Sequence, residues 1–254
     1  MTPIDDPPIL DNRPASDAPV PEAVATAADG APVRPVWRNA AGGTTFQLGD
    51  GPSRRFAKWA PHGSGLDLHA DELRLRWAVQ HAPVPRVLEI GSDDDGDWLV
   101  TAGLPGRSCA DPYWTRGDRR AAVRAAGAGL RALHDALPVD DCPFGWSVED
   151  RLARSDRARV TPPDLGPVPT VDRLVVCHGD ACLPNTLLLD DGRWSGHVDL
   201  DALGVADRWA DLAVATMSLA WNLGPGHEDE YLDAYGVDAD PVRTAFYRAL
   251  WDAT

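Results

Sequence analysis

Two acids and an amide in one short stretch have the residue types of a metal and proton-transfer site. Asp180 follows the apolar run Leu174–Cys177, and Asn185 comes five residues after Asp180. Asp199 ends the return run of a hairpin that turns at residues 190–192. A buried strand, a polar loop and a hairpin would bring the three side chains together. Carboxylate and amide oxygens are ligands that suit Mg²⁺, and one carboxylate remains to handle a proton.

The single lysine of the chain is a second candidate for phosphate chemistry. Lysine and arginine total 24 residues, and only Lys58 among them is lysine. A lysine is a compact point charge that reaches between phosphate oxygens, whereas arginine is a wide planar fork. An incidental surface lysine is the alternative interpretation. Lys58 lies in Arg55–Trp59, whose pattern predicts a strand.

A glycine-bearing turn precedes that strand. Gly42, Gly43 and Thr44 follow the predicted strand Pro35–Asn39. Glycines let the backbone come close to a phosphate, and their amides can donate to it. On its own this pattern favours a plain hairpin turn, and the three residues are kept as candidate nucleotide-binding residues.

The remaining pattern predicts strands before a linker and helices after it. Val84–Ile90 and Asp97–Thr101 predict further strands, and Asp67–His81 has the apolar spacing of a helix. Residues 102–106 contain Gly and Pro and predict a linker. The helices predicted after the linker are Arg119–Leu137, Asp207–Leu223, Glu228–Tyr235 and Pro241–Ala253, with a shorter one at Val148–Arg154.

The expected architecture is α+β with two lobes. Residues 1–33 are rich in Pro, Ala and Asp and predict a disordered or loosely attached tail. Residues 34–103 predict a β-rich N-terminal lobe with one helix. Residues 104–254 predict a mainly helical lobe with an inserted β-hairpin and a Pro-rich loop at Thr161–Pro169.

Composition limits the partners and the compartment. The net charge of −15 without a clustered basic stripe argues against nucleic acid and anionic membrane surfaces, and favours a polycationic small molecule. No stretch approaches the roughly 20 apolar residues that span a bilayer, and no signal peptide is apparent. The four cysteines lack paired CxxC spacing, which predicts reduced thiols in a cytoplasmic protein. We expect a monomer or a weak dimer.

Two motifs in order resemble those of the aminoglycoside phosphotransferase family, a branch of the protein-kinase-like fold. Residues 178–185, HGDACLPN, look like its HGDxxxxN catalytic loop. Residues 196–199, GHVD, followed by 203–213, LGVADRWADLA, resemble its metal-binding segment and are especially close to the 3′-phosphotransferase subgroup. The resemblance runs from about Trp37 to the C-terminus.

The resemblance assigns a role to each matching residue. It implies that Asp180 is the catalytic base and that Asn185 and Asp199 bind Mg²⁺. It also implies that Lys58 binds phosphate, and that Thr101–Gly103 forms the linker that contacts adenine, through Thr101 and Gly103.

Several further residues are assigned by the same comparison. The acid that pairs with Lys58 is either Asp71 or Glu72. Asp211 matches the family pattern and is expected to accept backbone N–H bonds rather than to contact substrate. For His178 we expect a structural hydrogen bond that shapes the loop.

Three departures from the subgroup concern the substrate. Asp201 and Ala202 stand where the subgroup usually has Gly-Arg, so a positive group near the transferred phosphate is lost. The region between residues 137 and 174, which covers the sugar in the subgroup, looks shorter. At the C-terminus, Asp252 and the carboxylate of Thr254 are assigned to hold substrate amines, although the aromatic residues usual in the subgroup are missing.

The expected activity is ATP- and Mg²⁺-dependent transfer of the γ-phosphoryl group to a hydroxyl of a small amine-bearing molecule. An aminoglycoside-type antibiotic is the leading substrate, which implies resistance by O-phosphorylation. One alternative is a kinase for another small metabolite or a different antibiotic. Another is a catalytically silent nucleotide-binding protein of the same fold, but such a protein need not keep Lys58, Asp180, Asn185 and Asp199.

Overall fold

The structure, a computed structural model, describes residue 14 and residues 18–39, 41–157 and 165–254. The described chain divides into two compact units, of which the first ends at Pro105 and the second is Gly106–Thr254. The first unit contains a β-sheet and the second is mainly helical. The predicted α+β class and its distribution along the chain are therefore confirmed.

The first unit is built on one antiparallel sheet of five strands. Its strands are β1 (Val33–Arg38), β2 (Thr44–Leu48), β3 (Arg55–Pro61), β4 (Val87–Ser92) and β5 (Gly96–Ala102). Their order in the sheet is β1-β2-β3-β5-β4, so that β3 is central. Lys58 on β3 lies opposite Thr45 on one side and Leu99 on the other. Hydrogen bonds on both sides thus fix the backbone that carries the lysine.

A helix lies within the segment that was predicted as a tail. Helix α1 (Glu22–Ala28) buries Val24 and packs into a cluster with Phe46 of the sheet. Arg55 donates to the carbonyl oxygens of Ala27 and Ala28, at 2.9 and 3.0 Å, and so satisfies acceptors at the helix end. The prediction of a loose tail is therefore wrong for residues 22–28, because seven residues show little periodicity and tertiary contacts decide their structure.

The predicted helix of the β-rich lobe is confirmed. Within residues 34–103 the described part of the chain contains one α-helix, α2 (Leu68–Ala78), and α1 lies before that range. Helix α2 begins after Asp67, whose side chain accepts the Ala70 N–H at 2.9 Å as an N-cap. Residues 1–13 and 15–17 of the predicted tail lie outside the described part of the chain.

The second unit contains six α-helices among its described residues. They are α3 (Pro112–Thr115), α4 (Arg119–Ala136), α5 (Val148–Arg157), α6 (Trp209–Leu223), α7 (Glu228–Tyr235) and α8 (Pro241–Ala253). Helix α6 is mostly apolar and buried along nearly its whole length. The predicted bounds of α7 and α8 are confirmed, and α3 was not predicted. Part of the predicted loop Thr161–Pro169, residues 161–164, lies outside the described residues.

Short strands position the polar loop of the second unit. They are β6 (Arg107–Ser108), β7 (Leu174–Cys177), β8 (Thr186–Leu188), β9 (Trp194–His197) and β10 (Gly204–Asp207). Strands β8 and β9 form the predicted hairpin, and β6 pairs with β8. Strand β10, which was not predicted, pairs antiparallel with β7. This pairing fixes the strand that leads into the loop.

Within the described ranges, no helix combines the length and apolar character that crossing a bilayer requires.

Candidate active site

The loop after β7 brings Asp180 and Asn185 into direct contact. The 3-10 turn Leu183–Asn185 has a proline at its second position and returns the polypeptide toward Asp180. The Asn185 amide nitrogen donates to the Asp180 carbonyl oxygen at 3.0 Å and to its carboxylate Oδ2 at 3.2 Å. The predicted proximity of these two side chains is confirmed. We call residues 178–185 the catalytic loop from here on.

The β8–β9 hairpin brings Asp199 to the same loop. The Val198 N–H donates to the Asn185 carbonyl oxygen at 3.0 Å, one residue before Asp199. Asp199 itself has a φ of 67°, in the left-handed region that non-glycine residues seldom occupy. Such a conformation persists only where the surrounding structure holds it, and it is frequent at functional sites.

The environment of Asp180 suits a carboxylate that handles a proton or meets a cation. Burial raises the pKa of Asp180, and the negative charge of Asp199 raises it further. The buried Oδ1 atom of Asp180 has no hydrogen-bond partner among the described residues. A buried polar atom of this kind is rare in a native protein. Two carboxylates and the Asn185 amide oxygen therefore fit a hard cation such as Mg²⁺.

Gly179 allows the segment after Asp199 to pack on the catalytic loop. Its φ is +89°, and a Cβ built on it would lie 2.3 Å from the Ala202 carbonyl oxygen. No side chain fits that space. The glycine is thus required both by its backbone conformation and by the close approach of Ala202.

Two predicted support roles are confirmed by hydrogen bonds. The carboxylate of Asp211 accepts the backbone N–H of His178 at 2.6 Å and that of Gly179 at 3.0 Å. The His178 ring donates from Nε2 to the Val198 carbonyl oxygen at 2.9 Å. Asp211 therefore holds the start of the catalytic loop, and His178 connects that loop to the strand end before Asp199.

Ser218 holds the other end of the loop and was not predicted. Its hydroxyl oxygen accepts the Leu183 N–H at 2.9 Å, and the side chain is fully buried. Ser218 follows Asp211 by seven residues on α6, which places both on one face of the helix. That spacing, a polar residue two turns after the aspartate on an apolar helix, was the signal available in the sequence.

In the first unit, Asp71 is the acid that pairs with Lys58. The Lys58 Nζ atom lies 2.7 Å from Asp71 Oδ2, and the Asp71 side chain is 1% exposed. Glu72 instead pairs with Arg76, four residues later, at 2.7 Å. Of the two acids left open by the sequence, Asp71 is thus the partner.

The glycine turn uses its own amide groups. The Gly43 N–H donates to the Asn39 side-chain oxygen at 2.8 Å, and the Gly42 N–H to the Asn39 carbonyl oxygen at 3.1 Å. Thr44 follows as the first residue of β2 and lies opposite Trp59. The turn is therefore a hairpin with internal bonds, and contact of Gly42, Gly43 and Thr44 with nucleotide stays a prediction.

Thr101 and Gly103 lie at the end of β5. Thr101 is opposite Phe56 in the sheet, and the Gly103 N–H donates to the Arg54 carbonyl oxygen at 2.9 Å. A Cβ on Gly103 would lie 2.8 Å from that same oxygen. The backbone here is thus fixed to β3, and its contact with adenine stays a prediction.

At the C-terminus, an arginine that was not predicted holds the last residue. The buried Arg151 donates to the Thr254 hydroxyl oxygen at 2.9 and 3.1 Å. Burial lowers the pKa of Arg151 to about 10, which leaves it charged near neutral pH. Asp252 is exposed on the last turn of α8. The substrate roles of Asp252 and Thr254 stay predictions.

Comparisons with known proteins show the family of the chain. The model of a phosphotransferase enzyme family, APH, matches residues 33–247. An aminoglycoside 3′-phosphotransferase from Streptomyces fradiae is 37% identical, over 82% of this chain and 90% of the relative. The resemblance read from the two motifs is thereby confirmed.

Solved structures share the fold. The crystal structure of an aminoglycoside-3′-phosphotransferase of type VIII has a TM-score of 0.73 and 31% identity, and covers 89% of this chain and 94% of its own. The aminoglycoside phosphotransferase APH(3″)-Id from Streptomyces rimosus, in complex with ADP and streptomycin, has a TM-score of 0.67 and 29% identity, with the same coverage of each chain. This chain therefore belongs to the phosphotransferase enzyme family and is an O-phosphotransferase with the α+β, protein-kinase-like fold.

Proposed function

We propose that this enzyme transfers the γ-phosphoryl group of ATP, with Mg²⁺, to a hydroxyl of an aminoglycoside-type antibiotic. The observation that carries the proposal is the contact of Asn185 with Asp180, beside the strand end that carries Asp199. A carboxylate that could accept a proton and oxygens that could bind Mg²⁺ are thus provided by the catalytic loop and the strand end beside it. Phosphoryl transfer requires both, because its catalysis consists mainly of positioning and charge stabilisation.

Asp180 is the residue proposed to act on the acceptor. Its carboxylate accepts the proton of the attacking hydroxyl, whose oxygen forms a bond to the γ-phosphorus while the bond to ADP breaks. The products are a phosphate ester and ADP. Because burial and Asp199 raise the pKa of Asp180, the carboxylate is a stronger base than an exposed aspartate.

Asn185, Asp199 and Lys58 are the residues proposed to hold the donor. Asn185 turns its amide nitrogen toward Asp180, which leaves its amide oxygen, together with the Asp199 carboxylate, to bind Mg²⁺. When bound, the ion neutralises charge on the β- and γ-phosphate oxygens. Lys58 contacts the phosphates, and the buried Asp71 holds its ammonium group in place.

Several observations support a polycationic acceptor in the cytoplasm. The chain carries a net charge of −15, which attracts cations. Asp252 and the Thr254 carboxylate are the groups proposed to bind its amines. The relatives reported above are named for aminoglycosides, and one was solved with streptomycin. The cytoplasm is the proposed compartment because it supplies ATP.

A screen of acceptors tests this proposal. Purified protein is incubated with ATP, Mg²⁺ and each of a panel of aminoglycosides, including streptomycin, and of small amino alcohols. ADP release is measured, and mass spectrometry identifies the phosphorylated product. We expect at least one aminoglycoside to accelerate ADP release and to gain one phosphoryl group, and Asp180→Asn to abolish the transfer. Turnover only with an amino alcohol would favour a metabolite kinase, and no turnover with any acceptor would favour a silent nucleotide-binding protein.

A further inference from the structure

A buried hydrogen-bonded chain connects three helices behind the catalytic loop. Tyr235 on α7 contacts His134 Nδ1 through its hydroxyl at 2.9 Å. His134 on α4 contacts Asp211 Oδ2 on α6 through its Nε2 atom at 2.9 Å. The side chains of His134 and Asp211 are both 0% exposed. This series of hydrogen bonds therefore ends on the Asp211 carboxylate, which holds the backbone of His178 and Gly179.

The groups in this chain have one consistent set of donors. The Asp211 carboxylate accepts every bond it makes, so His134 donates from Nε2 and accepts the Tyr235 hydroxyl at Nδ1. Burial raises the pKa of Tyr235 to about 12, so the phenol keeps its proton. Burial also acts to raise the pKa of Asp211, but the hydrogen bonds that its carboxylate accepts from His134 and from the His178 backbone N–H lower it below its usual value.

The cluster is a hydrogen-bonded network rather than a cation site. His134, Cys177 and Asp211 lie close enough together to ligate an ion. However, the facing atoms of His134 and Asp211 already share a hydrogen bond. The Cys177 thiol donates to the Asp207 carbonyl oxygen at 3.4 Å, and burial raises its pKa well above the usual value. A thiol that keeps its proton is a poor metal ligand.

We propose that His134 and Tyr235 are positioning residues for phosphoryl transfer. They fix the orientation of the Asp211 carboxylate, which in turn fixes the backbone N–H groups of His178 and Gly179. That backbone leads directly into Asp180. This inference rests on the proposed function of the loop, and it adds two residues that are remote in sequence from the loop and contact neither reactant.

Four variants test the kinetic part of the inference. His134→Leu removes the donor to Asp211, whereas His134→Gln keeps a side-chain N–H that reaches it. We expect His134→Leu to lower kcat by about 10- to 100-fold with each KM changed less than about twofold, because a small displacement of a reacting group slows chemistry more than binding. His134→Gln should recover most of the loss, and Tyr235→Phe should lose less than His134→Leu. Tyr247→Phe, at a buried tyrosine on α8, is the matched control.

Amide hydrogen exchange tests the inference without relying on catalysis. In His134→Leu we expect the His178 and Gly179 amides to exchange faster than in the wild type, by more than any change in global stability accounts for. In His134→Gln and Tyr247→Phe these amides should keep wild-type protection. Wild-type exchange rates at these amides in His134→Leu would overturn the inference, even if that variant were less stable or less active. If the wild-type enzyme phosphorylated no acceptor, the proposed function would fail, and the exchange result would still decide whether His134 orders the loop.

Discussion

Asp211 and Ser218 lie two turns apart on helix α6, and each accepts backbone N–H groups of the catalytic loop. Asp211 holds His178 and Gly179 at the start of that loop, and Ser218 holds Leu183 near its end. Residues seven apart share a helix face. The buried helix therefore determines the shape of a loop that has little regular structure of its own.

Removing the Ser218 hydroxyl should slow the reaction. In Ser218→Ala the Leu183 N–H is left buried without its acceptor, which costs about 1–3 kcal/mol of stability. We expect kcat to fall about 10-fold as the loop shifts, measured by ADP release under saturating substrates. Thr216→Ala is the control, because the Thr216 hydroxyl donates within α6, accepts from Arg248 of α8 and lies on a different face from Ser218. An equal loss of kcat in both variants would show that α6 stability alone matters.

A methyl group at Gly179 should be far more disruptive than one at Gly192. Both glycines have a left-handed φ, +89° and +83°. A Cβ at Gly179 would meet the Ala202 carbonyl at 2.3 Å, whereas at Gly192 the nearest atom is 4.0 Å away, in Trp114. We expect Gly192→Ala to cost about 1–2 kcal/mol of stability and to keep activity. Gly179→Ala should cost more and abolish transfer, as measured by urea unfolding and ADP release.

The Lys58–Asp71 pair should matter for nucleotide binding, and Glu72 should not. Asp71→Asn leaves the lysine without the buried carboxylate that orients it, since the pair spans 2.7 Å. We expect the KM for ATP to rise about 10-fold, consistent with the loss of one charged hydrogen bond. Glu72→Gln removes only the contacts of Glu72 with Arg76 and His69 on the same helix. It should leave the KM for ATP unchanged, and a larger effect of Glu72→Gln would contradict the assignment.

The rotation of α2, which turns Asp71 toward Lys58, shows why the sequence could not decide between Asp71 and Glu72 as the partner of that lysine. Asp71 and Arg74 are buried on α2, whereas Leu73 is 58% exposed. An apolar pattern therefore does not define which face of this helix points inward. The ion pair with Lys58 is a tertiary contact, and only the folded sheet and helix together reveal it.

Local signals and distant pairings account for what the sequence could and could not predict. The loop with Asp180 and Asn185 was predictable because a strand, a turn and a hairpin are consecutive in the chain. Strand β10 was missed because its partner β7 lies about 30 residues earlier in the sequence. Helix α1 and Arg151 were missed for the same reason, since each is stabilised by contacts with remote residues.

Asp199 and Asp201 provide a matched test of metal binding. They are two residues apart, and Asp201 is exposed. In Asp199→Asn we expect the Mg²⁺ concentration for half-maximal rate to rise by at least about 10- to 100-fold, because loss of a residue that merely supports a metal ligand already costs that much. Asp201→Asn should leave it unchanged. Equal Mg²⁺ requirements in the two variants would contradict the role of Asp199.

Asp180→Ala should abolish transfer and largely keep nucleotide binding.

The buried Asp211 carboxylate should contribute stability that depends on pH. Its folded-state pKa is below the usual value: burial opposes this, but His134 and the backbone N–H groups outweigh it. That contribution is present above the unfolded pKa, about 3.9, and is lost as the pH falls through the folded pKa. In urea unfolding, Asp211→Asn should be less stable than wild type by about 3 kcal/mol at pH 7, because the buried N–H donors that face Asp211 lose their charged acceptor. The difference should persist to about pH 5 and shrink below about pH 4. Asp141→Asn, at an exposed carboxylate, should show no comparable difference. If the difference in free energy of unfolding between wild type and Asp211→Asn did not shrink in acid, the Asp211 side chain would stabilise the fold by its shape and hydrogen bonds and not by its charge.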